Sequence, residues 1–225
     1  MTQNSGQAYE AAFFDIDGTL VDSFEGIKKS VVHACGLAGK KIPSDSELRS
    51  FVGPPIEKSF REYYKINSED AARMADSFQE YYRETGYRYG KLYSGVFDLL
   101  KALEGMTKCV VTNKNAAYAS KVLEYFEIRG YFSKVFSTDR VKGIGKGNII
   151  SAYLAENNIQ GTNGIMIGDT IEDFQASVEA GCDFAGVTYG FGFLREVKYD
   201  FLTVGSMEEL TGYLRSGRLA ICSCG

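Results

Sequence analysis

The chain has 225 residues, 44% hydrophobic and 24% charged, with a formal net charge of -4, the values of an ordinary globular protein of one domain or a domain with an insertion. Its lysines fall in scattered pairs such as Lys28 and Lys29 or Lys40 and Lys41 and form no basic stripe of the nucleic-acid-binding kind, while no apolar run approaches the roughly 18 residues of a membrane span. The opening MTQNSGQAYE has no basic segment followed by an apolar one, as a signal peptide would; five irregularly spaced cysteines make no disulfide framework; and we expect a cytoplasmic protein, a monomer or a homodimer, with no membrane or nucleic-acid partner.

In chain order, AAFFDID comes first: an apolar run closed by Asp15 and Asp17, which predicts a buried strand. About seventy residues from Asp22 to Leu92 then hold no convincing strand, far beyond ordinary connection length, and their patterns are helical. Ser23 is placed to cap a helix carrying Phe24, Ile27 and Val31; SDSE, from Ser44 to Glu47, has the form of a capping box; Asn67 or Ser68 can cap a helix through Met74, Phe78 and Tyr82. Gly53-Pro54-Pro55 interrupts that series, since a helix normally stops before proline.

GVFDLLKALEGM next predicts an amphipathic helix, and KCVVTNK, KVFSTDR, GIMIGDT and DFAGVTYG predict further buried strands with helical patterns between most of them. FLTVG is a candidate edge strand, and SMEEL from Ser206 offers a capping box for a last helix. The terminal CSCG holds two thiols, Cys222 and Cys224, without a second pair, and we read a chain end there. Alternating strand and helix predicts an α/β fold, a Rossmann-like parallel sheet with helices on both faces. We expect residues 1–21 and 92–225 to form this core and residues 22–91 a small helical cap over the mouth of the sheet. Ligands of such sheets bind outside the carboxyl ends of the strands, where Asp15, Asp17, Thr112 and Asp169 fall.

An aspartate is ionised at neutral pH, with a reference pKa of about 3.9, so Asp15 can attack phosphorus without a separate base. Two like charges about 4 Å apart repel by roughly 4 kcal/mol at an effective dielectric near 20, so a divalent cation has to offset the meeting of carboxylate and phosphate. Asp17 lies two residues on, on the same side of an extended strand, and can give a proton to a leaving alkoxide and later take one from water. GIMIGDTIEDF supplies Asp169 and, four residues later, Asp173, a carboxylate set suited to Mg²⁺. Thr112 offers a hydroxyl, Asn113 and Lys114 offer backbone N–H groups, and Lys146 in KGIGKGNII offers a positive charge ahead of a helix.

These motifs, in order, resemble the haloacid dehalogenase superfamily of phosphohydrolases over nearly the full chain. DIDGT is similar to its first motif, which implies Asp15 as phosphorylated nucleophile and Asp17 as acid and base. VVTN is similar to the second, with Thr112 as phosphate ligand and Asn113 beside it; Lys146 stands where the third motif's lysine is expected; GDTIED resembles the fourth and implies Asp169 and Asp173 at the Mg²⁺ site, with the backbone carbonyl of Asp17 as a further ligand. The third motif's lysine is usually followed by proline, whereas Gly147 follows here, which keeps Lys142 as an alternative. The helical insertion, with FVGPPIEKSF, LYSGVFDLL and GVTYGFG, resembles the cap of the subgroup that contains phosphoglycolate phosphatases.

The resemblance implies a Mg²⁺-dependent phosphatase for a small phosphorylated metabolite, 2-phosphoglycolate first, then a nucleoside monophosphate or a sugar phosphate. Arg49 in LRSFVGPP is the cap residue placed to meet a carboxylate or second phosphate with its planar fork. A phosphomutase of the same superfamily and a noncatalytic binding protein are the rival readings. A cysteine-type phosphatase lacks its Arg five residues from any Cys, and a Ser-His-Asp hydrolase would have to use His33, the sole histidine, which lies in a helical stretch.

Overall fold

The computed structural model describes residues 9–138 and 144–215; Lys142, Cys222 and Cys224 lie outside the described residues. The six apolar runs form strands β1 (Ala11–Phe14), β4 (Thr107–Thr112), β5 (Lys134–Ser137), β6 (Gly164–Gly168), β7 (Asp183–Val187) and β8 (Leu202–Val204), in one sheet of order β5-β4-β1-β6-β7-β8. Every neighbouring pair is parallel, with Phe14 opposite Val110 on one side and Ile167 on the other. From β1 the chain builds outward first through β4 and β5, then returns to build through β6, β7 and β8. The order therefore reverses at β1, the topological switch point at which sheets of this kind open a crevice.

The period-two alternation of strands sorts side chains into two cores. Ala12, Phe14, Val110, Ile165 and Ile167 face α5 (Val96–Ala102), α6 (Ala116–Tyr125) and α9 (Met207–Arg215), whereas Ala11, Phe13, Cys109, Val111 and Met166 face α7 (Lys146–Glu156) and α8 (Ile171–Ala180). Because helices cover both faces, the strands carry nearly uninterrupted apolar residues. Cys35, Cys109 and Cys182 are free thiols. Among the described residues no helix is long and apolar enough to cross a membrane.

A two-residue antiparallel pair, β2 (Val21–Asp22) with β3 (Lys91–Leu92), holds the stem of the helical insertion, Val21 opposite Leu92. A pair this short carries no periodicity that a sequence can show. Between its strands lie α1 (Phe24–Leu37), α2 (Asp45–Leu48), α3 (Ile56–Tyr64) and α4 (Ser68–Glu84). The box at Ser44 forms, with the Ser44 N–H donating to Glu47 Oε2 at 2.7 Å, and Asn67 rather than Ser68 caps α4, accepting the Asp70 N–H at 2.8 Å. Ser23 precedes α1 but makes no capping bond, and its buried hydroxyl has no hydrogen-bond partner; Asp22 Oδ1 accepts the Phe24 N–H instead. At α9, Ser206 accepts the Glu209 N–H, but Glu209 reaches back to Gly205 N–H rather than to Ser206.

The insertion packs through Phe60, Met74, Phe78 and Tyr82, in an apolar cluster continuous with the α5/α6 side of the sheet. Gly53, at φ 100°, turns the chain out of the short helical turn Arg49–Phe51 ahead of the prolines.

Candidate active site

Four segments converge at the carboxyl end of β1: the turn after β1, the end of β4, the start of α7 and the turn from β6 into α8. Asp15, directly after β1, is anchored by its N–H to the Ile167 carbonyl at 3.0 Å. Gly18 lets the chain leave β1 under Asp169: it sits at φ 84°, and a Cβ there would run into the Asp169 carboxylate and the Phe191 ring. Asp169 is fully buried, accepting the Thr19 hydroxyl at 3.2 Å and the Phe191 N–H at 2.8 Å. Asp173, also fully buried, closes the first turn of α8, its Oδ2 accepting the Thr170 N–H and hydroxyl at 3.1 and 2.7 Å.

Lys146, first residue of α7, brings its ammonium 2.7 Å from Asp173 Oδ1 and 3.1 Å from Asp15 Oδ1. Gly147 explains the departure from proline: a Cβ there would meet the Ala176 carbonyl and the Glu179 side chain of α8, so glycine is what lets α7 close on α8 and carry Lys146 inward.

Asp15, Asp169 and Asp173 each offer an oxygen within 4.8 Å of the other two. Three carboxylates against the single Lys146 ammonium leave an excess of two negative charges in a dry place. Burial, opposed by Lys146 and reinforced by Asp173 and Asp17, pushes the Asp15 carboxyl up to about 6; burial and the Asp15 charge push Asp169 up to about 7. Burial alone would pull Lys146 down, but Asp15 and Asp173 outweigh it and hold its ammonium above the ordinary lysine range. Apart from the Lys146 ion pair, Asp15 Oδ1 is buried with no hydrogen bond. A buried carboxylate oxygen with no partner but one ammonium, facing two more carboxylates, is the donor chemistry of a hard divalent cation, and the residues present fit one.

Asp17 stands apart from this cluster. Its two oxygens accept from Lys114 Nζ at 2.9 and 2.8 Å, and the same ammonium lies 4.5 Å from the ring centroid of Tyr82 on α4. Lys114 is thus a functional side chain that the sequence reading used only for its backbone. Phe14 pairs with Val110 across β1 and β4, so the residues after the two strands emerge side by side. That register is invisible in the sequence, and Asp17 and Lys114 are 97 residues apart.

Thr112 is buried at the end of β4, its side-chain oxygen accepting the Lys114 N–H and its hydroxyl also bonded to Asp15. Asn113 is held by Glu172 and Thr138 through bonds of 3.0 and 2.9 Å. Arg49 is exposed, its guanidinium over the Phe24 ring at 4.7 Å, and it lines a cavity of about 340 Å³ with Asp15, Asn113 and Lys146.

A family model described as haloacid dehalogenase-like hydrolase matches residues 12–187. The chain belongs to the haloacid dehalogenase-like hydrolases. Within that family it is 30% identical over 194 residues to a 5'-nucleotidase of Pseudomonas aeruginosa, covering 84% of this chain and 87% of the relative. It is 31% identical over 202 residues to a phosphoglycolate phosphatase of Vibrio vulnificus, covering 85% and 87%. The crystal structure of a predicted phosphatase from Clostridium acetobutylicum superposes with a TM-score of 0.82 at 33% identity, covering 93% of this chain and all of that one. The chain is accordingly a phosphatase of the haloacid dehalogenase-like family, with a parallel sheet and a helical insertion.

Proposed function

We propose that this chain is a Mg²⁺-dependent phosphomonoesterase that works through an aspartyl-phosphate intermediate. The observation that carries the reading is the division of labour at the end of β1: Asp15 turns an oxygen whose one partner is the Lys146 ammonium into the acidic cluster, while Asp17, two residues on, is paired with Lys114 outside it. One carboxylate is thereby set up as nucleophile and the other as proton carrier.

In this reading an Asp15 oxygen attacks phosphorus and the bond from phosphorus to the ester oxygen breaks, its electron pair leaving with that oxygen, which takes a proton from Asp17. Water then attacks the phosphoryl group, Asp17 takes the water proton, and Asp15 and inorganic phosphate are released. Lys146 and the Thr112 hydroxyl face the phosphoryl oxygens and stabilise the charge gathering there. Asp15 and Asp169, together with the Asp17 carbonyl, would hold Mg²⁺, with Asp173 the third carboxylate of the cluster; Asp173 Oδ1 also aims Lys146. When bound, Mg²⁺ neutralises negative charge between carboxylate and phosphate.

Residues 22–91 act as a cap that opens for substrate and closes to exclude bulk water. The relatives' names offer two substrate classes, phosphoglycolate and nucleoside monophosphates, and the first is also the subgroup resemblance of the sequence. The test is phosphate release from a panel of small phosphomonoesters, with Mg²⁺ and with a chelator. We expect metal-dependent release that Asp15→Asn abolishes without changing the far-ultraviolet circular dichroism; turnover retained by Asp15→Asn sinks the mechanism.

A further inference from the structure

Two cavities meet at the loop Gly53-Pro54, which together with Asn113 lines both. The first holds Asp15, Lys146 and Arg49. The second, of about 230 Å³, holds Asp17 and Lys114 but not Asp15, and its walls are Phe51, Pro54, Ile56, Phe78, Tyr82 and Tyr118. If Asp15 attacks and Asp17 protonates the departing oxygen, the phosphoryl group occupies the first cavity and the leaving alcohol must project into the second. Arg49 lines the first cavity and not the second.

The charge of the second cavity decides what it accepts. Its acidic and basic lining residues are Asp17, Glu57 and Lys114, and the one ammonium spans both oxygens of Asp17. A carboxylate on the leaving group would have to compete with Asp17 for that ammonium and would share the lining with Glu57. Ring faces and prolines instead offer the apolar lining, with a few polar groups, of a site for an uncharged organic moiety. Tyr82 carries the Lys114 ammonium over its ring and stacks on Phe78, and half-buried Tyr118 of α6, tilted 57° against Tyr82, adds a second ring to the lining.

We infer that this cavity is the leaving-group subsite and that it selects a neutral, planar, ring-bearing alcohol, the chemistry of a nucleoside, over a short carboxylated one such as glycolate. The inference rests on the phosphatase reading above.

The test compares kcat/KM for a nucleoside 5'-monophosphate and for 2-phosphoglycolate, using the full chain with Mg²⁺. Wild type should favour the nucleotide. Tyr118→Ala should cost the nucleotide about tenfold, as loss of a base-stacking ring does, and cost 2-phosphoglycolate less, so that the ratio of the two falls. Gln79→Lys, which adds a cation to the same lining, should shift the ratio toward 2-phosphoglycolate. A wild-type preference for 2-phosphoglycolate, equal losses on both esters in Tyr118→Ala, or an unchanged ratio in Gln79→Lys would overturn the inference while the phosphatase reading stands. No release from any ester, or release that persists in Asp15→Asn, would overturn both.

Discussion

Asp17 and Lys114 illustrate how one ion pair serves chemistry and position together. The ammonium is buried, which alone would pull it down, yet Asp17 and Tyr82 hold it above the ordinary lysine range. A carboxyl group held in place by Lys114 loses little freedom when a leaving oxygen arrives, and it serves as acid only in the turn of the cycle in which it carries a proton. Asp17→Asn keeps the shape and removes the transferable proton. We expect kcat to fall by about 10²–10⁴-fold with the melting temperature nearly unchanged, and a kcat within a few-fold of wild type would remove Asp17 from the mechanism. Lys146 is a different case, because its two partners are buried almost completely. Lys146→Met leaves three carboxylates with no internal cation, and breaking a buried pair from one side costs about 3–5 kcal/mol. Urea denaturation in the presence of a chelator should show that loss; an unshifted midpoint would mean that the cluster hydrates freely.

The pair α7 and α8 governs the site at the level of elements. Each contributes one member of the Lys146 to Asp173 contact from its first turn, and their approach depends on Gly147 lying against the Ala176 carbonyl. Gly147→Ala should force the helices apart, cost about 1–3 kcal/mol as overpacking does, and lower kcat because Lys146 retreats with its helix. If stability falls and kcat holds, Lys146 is positioned by Asp173 alone. The insertion is built from more local devices. Asn67 and the Ser44 box are each satisfied within three residues, which is why both were legible as capping patterns. The Ser23 cap does not form: Ser23 sits at φ -95° and ψ 1° rather than in the extended backbone of an N-cap, and its side chain accepts none of the first helical N–H groups, a backbone choice that composition does not decide.

Over the whole molecule, the buried carboxylates couple folding, pH and metal. Asp15 and Asp169 are raised from 3.8 to about 6 and about 7, so folded protein keeps protons that the unfolded chain has already released. Their contribution to stability is fully present below about pH 4 and is lost as pH rises through the folded values. Metal-free protein should therefore lose stability from about pH 4 to about pH 7 on account of this cluster, and a cation that binds the ionised folded form should restore it. Thermal denaturation with a chelator and with MgCl₂ checks this: the gain in melting temperature from Mg²⁺ should be small near pH 5 and larger near pH 8. A gain independent of pH, or none at pH 8, would separate the cluster from metal binding.

By itself the sequence determined the strands, the parallel α/β class, the helical insertion and the carboxylates at the strand ends. Those follow from local facts: apolar runs of strand length, capping residues, and chemically expensive side chains set where a run stops. Only the tertiary structure decided how these residues divide their work. Asp17 meets Lys114 across 97 residues and Lys146 meets Asp173 across 27, contacts set by parallel register and helix approach that no local pattern encodes. The same holds for the β2/β3 stem, where two residues per strand are too few to show a period, and for the two cavities, whose walls come from elements on both sides of the insertion. Propensity acts over a few residues, whereas a site is assembled from segments whose proximity is a consequence of burying the whole core at once.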